Sequence, residues 1–219
     1  MWIKNSGVLF ELPRIVLFAL LRPQAGELVR QLVKKIQKVF WIYLSDMFFV
    51  TPEDRLVPVH PKINCRFVAI TPENCIRVRD FREEALMAEF RAKVQRGEKG
   101  FFAVCEGKMA GSIWATVNES AVPTVVRGFM RLMPREALVH DIVTGTKFRG
   151  LGIGPFMVTQ ICPILLQQWG VSRIIIDVNV RNSRSLRMMN KAGLRAQQKA
   201  LAISAFQTLV FHKTIRRYA

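Results

Sequence analysis

The run Arg149-Gly150-Leu151-Gly152-Ile153-Gly154 has the spacing in this chain best suited to binding phosphate. It follows a stretch typical of a β-strand, residues 137–144, and precedes an apolar stretch typical of a helix, residues 156–169. Glycines at every second position leave the turn without Cβ atoms, so an anion can approach the main chain. The N–H groups that begin the following helix point toward such an anion. The spacing therefore predicts a pyrophosphate site.

Two common phosphate loops do not fit these residues. A dinucleotide fingerprint, G-x-G-x-x-G, needs a glycine three positions after Gly152, where this chain has Pro155. A P-loop needs a lysine after its last glycine, but Leu151 follows Gly150. The pattern R-x-x-G-x-G does fit, and it resembles the acyl-CoA loop of the GNAT superfamily of N-acetyltransferases.

A second segment, one strand further along, extends this resemblance. The residues Asn182, Ser185, Met188, Met189, Lys191, Gly193 and Leu194 are similar in spacing to that superfamily's N-x-x-A-x-x-L-Y-x-K-x-G-F segment. The resemblance covers roughly residues 65–215. It implies an α/β fold built on a mixed sheet and a transfer of an acyl group from acyl-CoA to an amine.

The resemblance also implies how acetyl-CoA, or another acyl-CoA, would be held. Main-chain groups of Ile142, Val143 and Thr144 would bind the pantetheine arm and the thioester carbonyl. The amides of the glycine loop would take the pyrophosphate, from Arg149, Gly150, Leu151, Gly152, Ile153 and Gly154. Asn182 and Ser185 complete the expected set of cofactor-binding residues.

His140 is the candidate general base. Strand alternation predicts one shared face for Glu136, Leu138, His140, Ile142 and Thr144. The superfamily often carries a glutamate or histidine facing the substrate where this chain has His140, and a histidine suits proton transfer near neutral pH. A purely structural histidine is the alternative. Asp141 is expected on the opposite face, reaching substrate only if the strand bulges, and Glu136 is the second candidate base, acting through water.

One position departs from the superfamily pattern. Met189 stands where a tyrosine commonly protonates the leaving thiolate, and the only tyrosines, Tyr43 and Tyr218, lie outside the motif. Water or Ser185 could supply that proton, or the thiolate could leave unaided. The remaining alternative is a scaffold with weak or no activity.

Net charge and cysteine content indicate which binding partners and which cellular compartment to expect. A formal net charge of +17 favours polyanions, such as nucleic acid or anionic lipid, as well as a phosphate-rich ligand. The four cysteines show no C-x-x-C pair, and we interpret them as reduced core residues of a cytoplasmic protein. The three histidines offer no zinc-ligand spacing, so no metal is predicted.

The chain is predicted to have two parts, an N-terminal extension over residues 1–64 and an N-acyltransferase domain over residues 65–219. Apolar residues from Glu27 to Tyr43 recur at intervals of three and four beside a basic face, which predicts an amphipathic helix. That helix either packs on the domain or places residues 24–43 on the anionic inner face of a membrane. Residues 45–64 are predicted to be an extended connector.

Alternating strands and helices are predicted for the rest of the chain, including a hairpin around residues 106–108 and a helix over 156–169 that Pro163 should kink. The predicted function is transfer of an acetyl or longer acyl group from acyl-CoA to the amine of a small molecule or an amino sugar. The alternative is a non-catalytic or weakly catalytic basic module that binds anionic lipid or nucleic acid.

Overall fold

The computed structural model describes residues 40–126, 130–205 and 208–218. Ten strands lie in these ranges: β1 (Phe40–Val50), β2 (Cys65–Ala69), β3 (Lys99–Cys105), β4 (Lys108–Val117), β5 (Thr124–Val126), β6 (Met130–Leu132), β7 (Glu136–Thr144), β8 (Arg173–Asn179), β9 (Gln198–Ala205) and β10 (Thr208–Arg217). The three α-helices in the same ranges are α1 (Met87–Gln95), α2 (Ile153–Gln168) and α3 (Ser183–Lys191).

Eight of these strands form one mixed sheet in the order β10-β9-β1-β8-β7-β4-β3-β2, while β5 and β6 form a separate pair. Strands β7 and β8 are parallel, with α2 as the connection between them, as parallel pairing requires. The neighbouring pairs β4–β7 and β1–β8 are antiparallel. This architecture confirms the predicted mixed α/β fold.

Burial explains why the central strands form where they do. Strands β3 and β4 are buried along almost their whole length, and Ile174, Ile175 and Ile176 of β8 are buried as well. Alternate residues face two different clusters. Phe101 and Ile113 pack with α2, whereas Phe102 and Trp114 pack with Phe90 of α1. The sheet therefore has an α2 face and an α1 face.

The alternation of β7 is interrupted by a bulge. Trp114 pairs with His140 and Ser112 pairs with Val143, so β7 has one more residue than β4 over this interval. Asp141 lies in the interval with a φ of 46°. The prediction that Ile142 and Thr144 share a face with His140 is therefore wrong. Ile142 packs on the α2 face, while Asp141 forms ion pairs with Arg82 and with Lys93 of α1.

Helix α2 begins after Gly152, which has a φ of 84° and a left-handed conformation that glycine adopts readily. The helix continues through Pro163 to Gln168. Helix α3 is capped at its start by Asn182, whose Oδ1 accepts a hydrogen bond of 3.1 Å from the Ser185 N–H. No helix in the described ranges combines the length and apolar character that crossing a bilayer would require.

The beginning of the described chain differs from the prediction. Residues 40–43, expected to end a helix, belong to β1, and residues 45–50 pair with β8 instead of forming a connector. Aromatic and β-branched residues here suit a strand as well as an amphipathic helix, so local pattern does not separate the two. Residues 1–39 lie outside the described residues, and so does the rest of the predicted helix.

The chain divides into two compact units. One comprises residues 44–201 with 212–219, and the other comprises residues 1–43 with 202–211. The predicted boundary after residue 64 stays a prediction.

The prediction that all four cysteines are reduced is wrong. Cys65 and Cys105 occupy directly opposite positions on β2 and β3 and form a disulfide, whereas Cys75 and Cys162 are free and buried. The spacing along the chain does not reveal this pair, because strand pairing brings the two residues together.

Candidate active site

A cavity of about 680 Å³ opens where the end of β7 meets the first turns of α2 and α3. Its walls include residues Ile142, Val143 and Thr144 and most of the glycine loop. We call it the loop cavity. The size is in the range of sites that enclose a cofactor-sized ligand.

The ladder between β7 and β8 ends beside this cavity. The two strands pair from Glu136 with Arg173 up to Val139 with Ile176, although β7 continues to Thr144. The strands therefore part beyond Val139, and residues 142–144 form one wall of the cavity. Backbone groups that face a cavity in this way can hydrogen-bond an extended ligand arm.

The glycine loop is shaped for an anion. Gly150 and Gly152 both have positive φ, at 79° and 84°, and no side chain caps the first turn of α2. The N–H groups at this helix start are therefore left for a ligand, and the helix dipole favours a negative one. Pro155 has no N–H, but its position in the first turn makes that loss harmless.

Four basic side chains surround the same cavity: Arg149, Arg184, Arg187 and Lys191. All four residues are exposed. The residues that line the cavity, all within the described part of the chain, include no Asp or Glu. The cavity is therefore strongly positive, as a site for a polyphosphate should be.

A second cavity, of about 630 Å³, lies on the α1 face, and we call it the histidine cavity. It is lined by Glu89, Lys93, Arg96, Glu98, Thr116, Val126 and His140. His140 is only 8% exposed, and its Nε2 lies 3.0 Å from the Thr116 hydroxyl oxygen and 3.3 Å from Oε2 of Glu98. A carboxylate in this position can orient an imidazole and stabilise its protonated form.

The sequence model of the acetyltransferase (GNAT) family matches residues 69–194, more than half of the chain. The chain belongs to the GNAT acetyltransferase family. The predicted resemblance is thereby confirmed. No curated protein matches the sequence.

Solved structures show the same fold at low sequence identity. A GNAT acetyltransferase from Colwellia psychrerythraea has a TM-score of 0.54 at 14% identity, covering 94% of this chain and 75% of its own. A glucosamine N-acetyltransferase region of a fungal multi-domain β-N-acetylglucosaminidase has a TM-score of 0.54 at 16% identity. A Drosophila protein has a TM-score of 0.53 at 14% identity.

The extent of these matches is unequal. Both the fungal and the Drosophila comparisons cover 80% of this chain. The chain spans 56% of the Drosophila protein and 22% of the fungal one. At these identities the likeness concerns the GNAT fold alone.

Two largely buried carboxylates of this GNAT domain have pKa values below their ordinary range. Burial by itself would raise the pKa of Glu98, but hydrogen bonds from His140 and Arg96 and their charges outweigh it and hold that pKa below 4.5. Burial likewise opposes ionisation of Asp141, while Lys93 and Arg82 outweigh it and hold the Asp141 pKa below 3.8. Both side chains are thus anionic at neutral pH.

The predicted GNAT site residues fall into three groups. Ile142, Val143, Thr144, Arg149, Gly150, Gly152, Ile153, Gly154, Asn182 and Ser185 line the loop cavity. Leu151 does not line it; its side chain packs on the core and its carbonyl accepts a hydrogen bond from the Lys62 N–H. His140 lines the histidine cavity, whereas Glu136 lines neither and forms an ion pair with Arg173.

The site also contains residues that no motif indicates. Thr116 lies on β4, which pairs with β7, and Glu98 precedes β3, which pairs with β4, so both reach His140 although they are distant from it in sequence. Lys93 of α1 lines the same cavity. Arg184 and Arg187 lie between the motif positions of α3. The helical spacing of Arg184, Arg187 and Lys191 is the one signal that could have indicated a basic face. Met189, at the usual tyrosine position, is 0% exposed and belongs to the core.

Proposed function

We propose that this chain is a CoA-dependent N-acyltransferase that moves an acetyl or longer acyl group to an amine. The observation that carries the proposal is that different residues of β7 line two different cavities. Its residues 142–144 line a positive cavity with a phosphate-binding loop, while His140 of the same strand lies in a second cavity on the other face. A donor site and an acceptor site adjoining one strand suit a direct transfer between two ligands.

Acyl-CoA would occupy the loop cavity, and its thioester would supply an activated acyl group. The residues of this cavity fit acyl-CoA. The amides at the start of α2 and four basic side chains can bind its phosphates, and the main chain of β7 beyond its pairing with β8 can hydrogen-bond the pantetheine arm. The main chain of Ile142, Val143 and Thr144 would also polarise the thioester carbonyl.

The acceptor amine would bind in the histidine cavity. His140 would remove the proton that the ammonium group must lose before it can attack the carbonyl. Glu98 would act as a positioning residue, since its carboxylate lies against the His140 ring and would stabilise the imidazolium. Glu136 stays a second candidate base, although its carboxylate is engaged by Arg173 and by the Met133 N–H.

The leaving thiolate of CoA cannot be protonated by a tyrosine at position 189, because this chain has methionine there. Met189 is buried and cannot donate a proton, so water or Ser185, which lines the loop cavity, would supply one. This same substitution favours the second candidate function, a weakly catalytic or non-catalytic module that uses the basic GNAT scaffold to bind anionic lipid or nucleic acid.

Binding and turnover separate the two functions. Acetyl-CoA at about 100 times its Kd should raise the free energy of unfolding by about 2.7 kcal/mol, measured as a shift in melting temperature. A series of acyl-CoA donors incubated with pooled amines and amino sugars would then identify product by mass spectrometry. Stabilisation without any acylated product contradicts the enzymatic assignment, and the absence of stabilisation contradicts the cofactor site.

A further inference from the structure

Helix α3 presents a basic face to the loop cavity. Arg184, Arg187 and Lys191 are spaced at i, i+3 and i+7, so they lie along one side of the helix. All three are exposed and line the cavity. The ion pairs found within the described ranges involve none of them. Exposed cations kept clear of carboxylates are available for a ligand anion.

This basic face adjoins the pyrophosphate-binding amides but is separate from them. Helix α3 packs close to the first turn of α2: a Cβ atom at Gly154 would come within 2.5 Å of Sδ of Met188. Glycine at this position therefore brings the two helices together. The cavity then contains two neighbouring anion-binding elements, the N–H groups at the start of α2 and the cations of α3.

The two elements together carry more positive charge than a pyrophosphate diester would neutralise. The amides and Arg149 suit a pyrophosphate diester, which leaves the three cations of α3 without a counter-charge in a cavity lined by no carboxylate of the described chain. A phosphate monoester carries a charge of about −1.5 to −2 near neutral pH and accepts charge-assisted hydrogen bonds from arginine in pairs. CoA carries such a monoester on its ribose, at the 3′ position, and dephospho-CoA does not.

We propose that the basic face of α3 binds the ribose 3′-phosphate of CoA and makes this chain selective for 3′-phosphorylated donors. The inference rests on the proposed use of acyl-CoA and adds which part of the donor is recognised. Selection against dephospho-CoA thioesters follows, and so does selection against donors that carry the acyl group on phosphopantetheine alone.

The test compares CoA with dephospho-CoA, which lacks only the 3′-phosphate, and with 4′-phosphopantetheine, which lacks the adenosine part as well. We would measure the Kd of CoA, dephospho-CoA and 4′-phosphopantetheine by isothermal titration calorimetry for the full chain and for a double variant, Arg184→Gln/Arg187→Gln. The full chain should bind CoA roughly 10- to 100-fold more tightly than dephospho-CoA, the range expected for charge-assisted hydrogen bonds. The variant keeps Lys191 and should lose most of this preference, with its Kd for CoA rising toward its Kd for dephospho-CoA.

A control separates local contacts from net charge. Arg66→Gln/Arg91→Gln removes two exposed positive charges that line neither cavity and should keep the preference for CoA. Equal affinity of the unaltered chain for CoA and dephospho-CoA would overturn the inference, as would an equal loss for both ligands in the variant. Phosphopantetheine binding as tight as CoA binding would overturn it in favour of a carrier-protein donor. Binding of none of the three ligands would contradict the proposed function itself.

Discussion

His140 and Glu98 form the pair of side chains on which the proposed chemistry depends. Both side chains are mostly buried, so the Glu98 carboxylate acts on the imidazole with little screening by water. Arg96 bonds the other oxygen of that carboxylate, with its Nε at 2.9 Å and its Nη2 at 2.6 Å. Glu98 is therefore fixed from both sides.

Replacing His140 with alanine should lower kcat/KM by roughly 10²- to 10⁴-fold, the usual effect of losing a positioned acid or base. The Kd of acyl-CoA should change little, since His140 does not line the loop cavity. The acidic limb of the pH profile of kcat/KM should flatten. Glu98→Gln should also lower kcat/KM, because the imidazolium loses the carboxylate that stabilises it.

His212→Ala is the matched control, because His212 is exposed and lines neither cavity. It should leave the rate and the pH profile as they are. An acidic limb that persists in His140→Ala would show that another group is the base, and Glu136→Gln would then be the next variant to measure.

Asp141, next to His140 in sequence, carries a charge with a structural role. Its carboxylate lies 2.5 Å from Nζ of Lys93, which is 4% exposed, and 3.0 Å from Nη1 of Arg82. Asp141→Asn should lower the free energy of unfolding by about 3 kcal/mol, because the buried Lys93 loses the closer of its two carboxylate partners, Asp141 and Glu89. Asparagine tolerates the positive φ at this position, so the variant changes the charge and keeps the backbone.

The pH dependence of that effect has a definite sign. A lowered pKa in the folded state means that Asp141 stabilises the fold fully above its ordinary pKa of 3.8 and stops doing so as the pH falls through the lowered value. Urea unfolding should therefore show a difference between variant and parent that is constant from pH 7 to about 5 and shrinks as the pH falls below about 4. Asp80→Asn, in an exposed pair with Arg77, should cost at most about 1 kcal/mol; an equal cost for both variants would contradict the argument.

At the scale of elements, the glycine loop and the start of α2 form a unit that local sequence largely determines. The loop was predictable because its requirements are backbone requirements: no Cβ, positive φ and an uncapped helix start, all present in the structure. The bulge in β7 was not predictable, since it arises from pairing with β4 and leaves no mark in the hydrophobic pattern. The predicted faces of Ile142 and Asp141 were therefore both wrong.

Gly152→Val should abolish stabilisation by acyl-CoA while the fold survives, because a branched side chain would occupy the approach to the main chain and disturb the helix start. Gly107→Val is a close control. Gly107 has a φ of 78°, near the 84° of Gly152, and lies in the β3–β4 turn with open space around it. Both variants carry the backbone cost of a left-handed residue, about 1–2 kcal/mol. Thermal shifts with acetyl-CoA should vanish only for Gly152→Val; a full shift in that variant would refute the loop assignment.

At the scale of the whole molecule, pairing between distant strands creates the contacts that the sequence did not predict. The motif residues of α2 and α3 were found from spacing alone, whereas the approach of Glu98 to His140 depends on the order of strands β3, β4 and β7. The disulfide between Cys65 and Cys105 has the same origin. Because of this disulfide, the cysteines no longer support a cytoplasmic location. That location stays a prediction, and so does peripheral contact with a membrane.

The role of the N-terminal stretch is testable by removing residues 1–39, which leaves β1 intact. If the apolar residues predicted on one helix face between positions 27 and 39 pack on the rest of the chain, the shortened protein should melt at a lower temperature or aggregate. The full chain should then not bind anionic vesicles. This is the result we expect. Each basic residue near an anionic surface contributes about 1 kcal/mol, so an anchor would give clear vesicle sedimentation that the shortened, still folded protein loses.

Sedimentation with vesicles containing only neutral lipid is the control for that experiment, since electrostatic attraction is absent there. Anionic vesicle binding by the full chain, combined with an unchanged melting temperature after truncation, would replace packing with an anchoring role.

The bulge at Asp141 has a consequence for how this protein can diversify. Because the strand changes face between His140 and Ile142, the walls of the two cavities come from different helices, α1 on one side and α2 with α3 on the other. If the histidine cavity holds the acceptor as proposed, mutations at Glu89 or Val126 would alter the choice of amine without changing a residue of the loop cavity. On this proposal, a lineage under selection could acquire new acceptors one substitution at a time and inherit its donor site unchanged.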